Sequence, residues 1–150
     1  MSELIRGVGV PLFDRLSQAE TMEGTRLSTP QELEMSIARE LSRLMNARSN
    51  LTLKAFAEED LTVLNYGIPD FMALSVKSHT DMDRLQAGVA RAVRWFEPRM
   101  KDVIVKAMPS ISGRAAKLAI SGTVTIHMKP IPLSFELQLD TRHGGLAKAA

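Results

Sequence analysis

Residues 78–108 read SHTDMDRLQAGVARAVRWFEPRMKDVIVKAM, and the fold turns on them. Up to Phe96 the apolar residues Met82, Leu85, Val89, Val93 and Phe96 recur at three- and four-residue steps, while Arg84, Arg91 and Arg94 take the other faces. That spacing gathers side chains on one face of an α-helix. Ser78 or Thr80 supplies the cap, and Pro98 enforces the stop by disfavouring helical geometry at Glu97. Past Pro98 the period falls from 3.6 to 2. Asp102–Met108 then reads as a short Val/Ile strand ended by Pro109. A long helix feeding directly into a strand predicts an α+β domain.

Further along, Leu118, Ile120, Val124, Ile126 and Met128 alternate with Ala119, Ser121, Thr123, Thr125 and His127, and Leu133, Phe135, Leu137 and Leu139 alternate with Ser134, Glu136, Gln138 and Asp140. The Ser112-Gly113 loop and a corner at Lys129-Pro130-Ile131-Pro132 are short enough for an antiparallel meander with one face against the helices. Gly122 falls where an apolar residue is due, which predicts a bulge or the close approach of another backbone. Upstream, Thr29-Pro30-Gln31-Glu32 has the form of a capping box with Pro at the first helical position. Leu33, Ile37, Leu41, Leu44 and Met45 continue it as an amphipathic helix to about Arg48. Tyr66-Gly67-Ile68-Pro69-Asp70-Phe71 reads as a turn followed by a short helix capped by Asp70. The expected architecture is a small antiparallel sheet of about three to four strands packed on two long helices, with a flexible N-terminal arm. Residues 1–29 form the arm, 30–141 a single α+β domain and 142–150 a flexible tail. In the arm, Leu12, Phe13 and Leu16 share one face of a helical turn, a stripe that either docks in a partner's groove or folds back on its own domain.

The chain has 150 residues, 45% hydrophobic and 24% charged, a composition that builds one globular domain and excludes wholesale disorder. It holds no run of about 18 apolar residues and no visible signal peptide, so membrane insertion is not expected. The absence of Cys removes disulfides, thiolate metal sites and cysteine nucleophiles, and suits a reducing cytoplasm. The net charge is +2, with seven basic against three acidic residues in the last fifty. A mildly positive sheet suits an acidic protein partner at least as well as phosphate. Trp95, Tyr66 and five Phe are not interleaved with Lys and Arg, which argues against nucleic acid. His79, His127 and His143 lack metal-site spacing, and no phosphate-binding loop or nucleophile elbow is present, so neither metal nor cofactor is expected.

Glu97-Pro98-Arg99 is the most constrained short motif. In extended geometry its two charges point to one side and bind either each other or a partner. Taken alone, it reads as a helix stop with a surface ion pair worth about 0–1 kcal/mol. With both residues expected at the surface, Glu97→Ala or Arg99→Ala is expected to leave folding intact, and a clearly lowered melting temperature would mark the motif as structural. Glu97, Asp70, Asp102 and Glu136 are the carboxylates from which a glycosidase pair would have to be drawn, although solvated carboxylates account for them more simply.

Pro11-Leu12-Phe13-Asp14-Arg15-Leu16, Leu41-x-x-Leu44-Met45-Asn46-x-Arg48, Tyr66-Gly67-Ile68-Pro69-Asp70-Phe71 and Phe96-Glu97-Pro98-Arg99-Met100 occur in this order and spacing. In them the chain resembles the lysozyme-like baseplate wedge proteins of contractile phage tails, most closely the TssE branch of type VI secretion systems, over about residues 10–140. The resemblance implies a structural, non-enzymatic subunit of the baseplate wedge that helps to initiate contractile sheath assembly. It implies that Glu97, Pro98 and Arg99 contact the helical core bundle of the larger wedge subunits, with Leu12, Phe13 and Leu16 as the arm contact. Met100 stands where the family usually has Leu, a tolerable apolar exchange. The implied partners are those wedge subunits, the sheath protein and the spike hub around which the wedge assembles, with strand addition along Leu133–Asp140 as the route to the sheath. A peptidoglycan-cleaving lysozyme-like enzyme and a single-partner regulatory adaptor are the alternatives.

Overall fold

The computed structural model describes residues 8–9, 26–27, 29–109, 115–126, 128–140 and 146–147. Ahead of the first helix, β1 (Val8–Gly9) pairs antiparallel with β2 (Arg26–Leu27). The Leu12, Phe13 and Leu16 stripe lies outside the described residues. Thr29 then caps α1 (Pro30–Asn46) as its sequence requires: Thr29 Oγ1 accepts from the Glu32 N–H, and the Glu32 carboxylate accepts from the Thr29 N–H, both at 3.2 Å. Next come α2 (Leu53–Glu58), capped by Thr52, and a 3₁₀ turn at Val63–Asn65. The cap of α3 (His79–Phe96) is Ser78, whose hydroxyl accepts from the Asp81 N–H.

The expected helix at Asp70 does not form. Asp70 Oδ1 accepts from the Met72 N–H at 2.9 Å, Leu74 N–H bonds to the Phe71 carbonyl, and Ser78 N–H to that of Ser75. A short polar side chain and successive tight turns satisfy the backbone groups that a helix would otherwise claim.

After α3 come β3 (Lys101–Pro109), β4 (Ala115–Ile126), β5 (Lys129–Asp140) and β6 (Leu146–Ala147), an antiparallel sheet in the order β3-β4-β5-β6. Residues 146–147 of the expected tail thus add a short strand opposite Gln138–Leu139. Gly122 meets the close approach expected of it. A Cβ there would lie 2.8 Å from the Lys101 carbonyl oxygen, where the β3 register shifts between Lys101 and Ile104 and Asp102 takes φ +50°.

The Lys129–Pro132 corner is also revised. Ile126 pairs with Lys129, so the chain reverses in the two residues between them, and Pro130 and Pro132 already belong to β5. They sit at alternate positions in an unbroken β4–β5 ladder, so both imide nitrogens face the outer edge and no ladder hydrogen bond is lost. Met128, at the second turn position, takes φ +64°.

One core joins the layers: Leu33, Ile37, Leu41, Leu44 and Met45 from α1, Met82, Leu85, Val89 and Val93 from α3, and Val103, Leu118, Ile120, Val124 and Ile126 from the sheet. The two sheet edges differ. Along β3, Arg94 of α3 donates to the Val103 carbonyl at 2.9 Å and Gln86 Oε1 accepts from the Ala107 N–H at 3.1 Å, so α3 side chains occupy that edge. On the side of β5 away from β4, β6 pairs only with Gln138 and Leu139, and among the described residues no strand pairs there with Lys129–Leu137.

Candidate interaction site

Three of the quoted motifs converge where α1 ends and α3 turns into β3. Gly67 makes the first junction. At φ +119° it lies against α1's end, where an added Cβ would come within 2.7 Å of the Ala47 carbonyl carbon and oxygen. That approach lets Ile68 N–H donate to Ala47 O at 3.1 Å and Ser49 N–H to Ile68 O at 3.0 Å, a parallel bridge between Arg48 and Ile68. Arg48 Nη1 donates to the Met45 carbonyl at 3.0 Å, and its guanidinium lies 4.5 Å from the Phe71 ring centroid. Partial burial lowers its pKa, and Asp70 opposes that shift. Tyr66 meets Phe96 edge to face with ring centroids 5.2 Å apart. Burial raises the Tyr66 pKa, and Glu40 and Glu97 push it the same way against Arg43.

Glu97-Pro98-Arg99 sits at the third junction, and its geometry is not extended. Glu97 O accepts from the Met100 N–H at 3.1 Å, closing a β-turn with Pro98 at its second position. The turn folds Arg99 back onto Glu97: Nε donates to Oε1 at 2.6 Å, Nη2 to Oε2 at 2.5 Å, and the Arg99 backbone N–H adds a third bond to Oε1 at 3.3 Å. Arg99 Nη1 reaches Ser36 Oγ on α1 at 3.0 Å. The Glu97 and Arg99 side chains are only 4% and 13% exposed, so this is a buried bidentate clamp and not the surface pair expected. Folding intact after Glu97→Ala or Arg99→Ala is therefore no longer the expectation, because either change strands a buried partner. Pro98 is the exposed member of the motif.

Ser36, fully buried on the apolar face of α1, belongs to this site and escaped the sequence reading. Its only signal is a small polar residue inside an apolar stripe. The four carboxylates weighed as a glycosidase pair have local partners: Glu97 is clamped, Asp70 closes its turn, Asp102 accepts from Thr123 Oγ1 at 3.0 Å, and Glu136 pairs with Lys117 at 2.6 Å. Among the described residues no group of three or more His, Asp or Glu is placed to hold a metal ion, and no helix is long and apolar enough to cross a membrane.

Fold and site together define a small α+β domain in which a buried ion pair closes the helix-to-sheet turn and ties it to α1. The family described as baseplate wedge protein gp25 matches residues 31–130, from α1 into β5, and the chain belongs to that family. Among solved structures, a chain of the baseplate complex from the type VI secretion system shares the fold, with a TM-score of 0.53 and 16% identity over 72% of this chain and 93% of that one. No curated protein matches the chain.

Proposed function

We propose that the chain is a structural subunit of a type VI secretion baseplate wedge, of the TssE kind, that binds the larger wedge subunits in the cytoplasm and helps to start the contractile sheath. The match of the wedge family across the helices and most of the sheet carries this reading. The likeness in fold to a chain of a type VI baseplate complex supports it. In this role Glu97, Pro98 and Arg99 form the contact with the helical core bundle of those subunits. Glu97 holds Arg99 in place, Pro98 offers the exposed ring, and the guanidinium, with three of its five N–H groups used internally, has two left for a partner's acceptor. Leu12, Phe13 and Leu16 supply a second contact from the arm. The outer edge of β5 is the place where a sheath strand would add, because strand addition needs unpaired backbone groups facing outward. The spike hub, around which the wedge assembles, is a further partner of this set.

The test is co-expression of the tagged chain with the larger wedge subunits encoded beside it, followed by capture. Two variants accompany the wild type: Pro98→Asp, which alters only the exposed ring, and Glu97→Ala/Arg99→Ala, melted in parallel to separate unfolding from lost contact. Capture of wild type but not of folded Pro98→Asp supports both the assignment and the contact. Capture of every variant keeps the wedge assignment and removes the motif as its contact. Failure of wild type to capture, with turnover of purified peptidoglycan, would replace the reading with the lysozyme-like enzyme.

A further inference from the structure

We propose that the cleft between α2 and α3 is a second docking site, built to take an amphipathic acidic segment of a partner protein. This rests on reading the chain as an assembly subunit, but it involves neither the Glu97–Arg99 turn nor the β5 edge. The cleft has a volume of about 640 Å³. Its floor is apolar, from Leu53, Phe56 and Gly88, and Ala57 and Ala87 leave its walls low. On α3, Arg84, Ala87, Gly88 and Arg91 follow at i, i+3, i+4 and i+7, one strip along the helix.

The rim is basic: Lys54, Arg84 and Arg91 stand against the single carboxylate of Glu58. Arg84 is little engaged by the fold, and Arg91 is held by one backbone carbonyl. Arg84 is 64% exposed, with only a loose pair to Asp81 at 3.6 Å. Arg91 donates through Nη2 to the Glu59 carbonyl at 2.6 Å, while its Nε is buried with no hydrogen-bond partner. Held at the rim through Nη2, the Arg91 guanidinium lines the cleft with its charge fixed in place, where a carboxylate pairs with it without further ordering. Charge complementarity therefore selects an acidic occupant, and the apolar floor selects one that also brings a Leu- or Met-sized anchor. A free phosphate or a nucleic acid backbone would leave that floor uncovered. A short helix with leucines on one face and glutamates beside them meets both demands.

The probe is a labelled amphipathic peptide with leucines at i, i+3, i+4 and i+7 and flanking glutamates, titrated into the full chain by fluorescence anisotropy. A matched peptide carrying lysine for glutamate is the control. The expected result is binding of the acidic peptide that weakens as salt rises, with the lysine peptide weaker by about tenfold or more. Arg84→Gln/Arg91→Gln lowers the acidic peptide's affinity by about tenfold or more, and Ala87→Phe, which fills the cleft from a solvent-exposed position, abolishes binding. Each variant is melted to show that it folds. Pro98→Asp binds the peptide like wild type, which separates this site from the wedge contact and lets either reading fail alone. No binding, equal binding of the two peptides, or indifference to the arginine variants overturns the proposal. A rise in affinity on Leu12→Asp/Phe13→Asp also overturns it, because it would assign the cleft to the chain's own arm.

Discussion

Arg99→Ala tests whether the Glu97 clamp holds the helix-to-sheet junction together. The substitution deletes both guanidinium bonds to Glu97 and the bond to Ser36 Oγ, and leaves the Glu97 carboxylate with the residue-99 backbone N–H as its remaining donor among the bonds described. Glu97 is 3% exposed, so water cannot replace what is lost without local opening. Breaking a buried pair from one side costs about 3–5 kcal/mol. The exposed turn at Pro98 permits some opening, so the lower end, about 3 kcal/mol, is expected. For a chain of this size that is a fall in Tm of roughly 6–12 °C. Urea titration and thermal melts followed by circular dichroism, with matched m-values, measure it. Glu97→Met/Arg99→Met removes both charges and keeps apolar volume. It is expected to lie nearer wild type than the sum of its single variants, with a coupling of about 2 kcal/mol. An Arg99→Ala chain within about 0.5 kcal/mol of wild type, or simple additivity in the double variant, would refute the clamp.

Gly67→Ala combines a φ of +119° with a Cβ 2.7 Å from the Ala47 backbone, and should cost about 3 kcal/mol or more by the same melts; a change below about 1 kcal/mol would mean that the two segments separate easily. Tyr66 has a pKa raised above its unfolded value, so its contribution to stability is complete below about pH 10 and is lost as pH rises through the folded value. Wild type should therefore lose stability relative to Tyr66→Phe above about pH 10, and because Tyr66 is the only tyrosine, tyrosinate absorbance in folded and unfolded chains reads the shift directly. Met128→Asn should stabilise by about 0.5–1 kcal/mol, because Asn accepts φ +64° with less strain at an exposed turn position.

The elements whose causes are local were legible in the residues. Thr29 and Ser78 fix helix starts through bonds that span three residues, Pro98 ends α3 sterically, and the alternation in β4 and β5 reports directly which side faces the core. Gly122 announced the close passage of β3 without saying which backbone would pass. The misreadings came where two local rules compete. Asp70 can cap a helix or close a turn, and here its carboxylate closes a turn beside the buried Phe71. Pro130 and Pro132 look like a corner until the ladder shows that their nitrogens face outward. The burial of Glu97 and Arg99 was invisible for a different reason: it is created by Ser36, which lies 63 positions from Arg99, and by the fold that brings α1 over the turn. The α2–α3 cleft likewise depends on how two helices lean together, which no periodicity records.

The two prolines of β5 also bear on how the subunit meets copies of itself. A second copy offering its own β5 would bring two more missing donors to the same edge, so a homotypic ladder would be interrupted from both sides. A foreign strand without prolines meets those gaps on one side only. The missing donors therefore weigh against self-pairing along this part of the edge more than against pairing with a proline-free strand. Pro130→Val/Pro132→Val should then show association that rises with concentration in size-exclusion chromatography, where the wild type stays single.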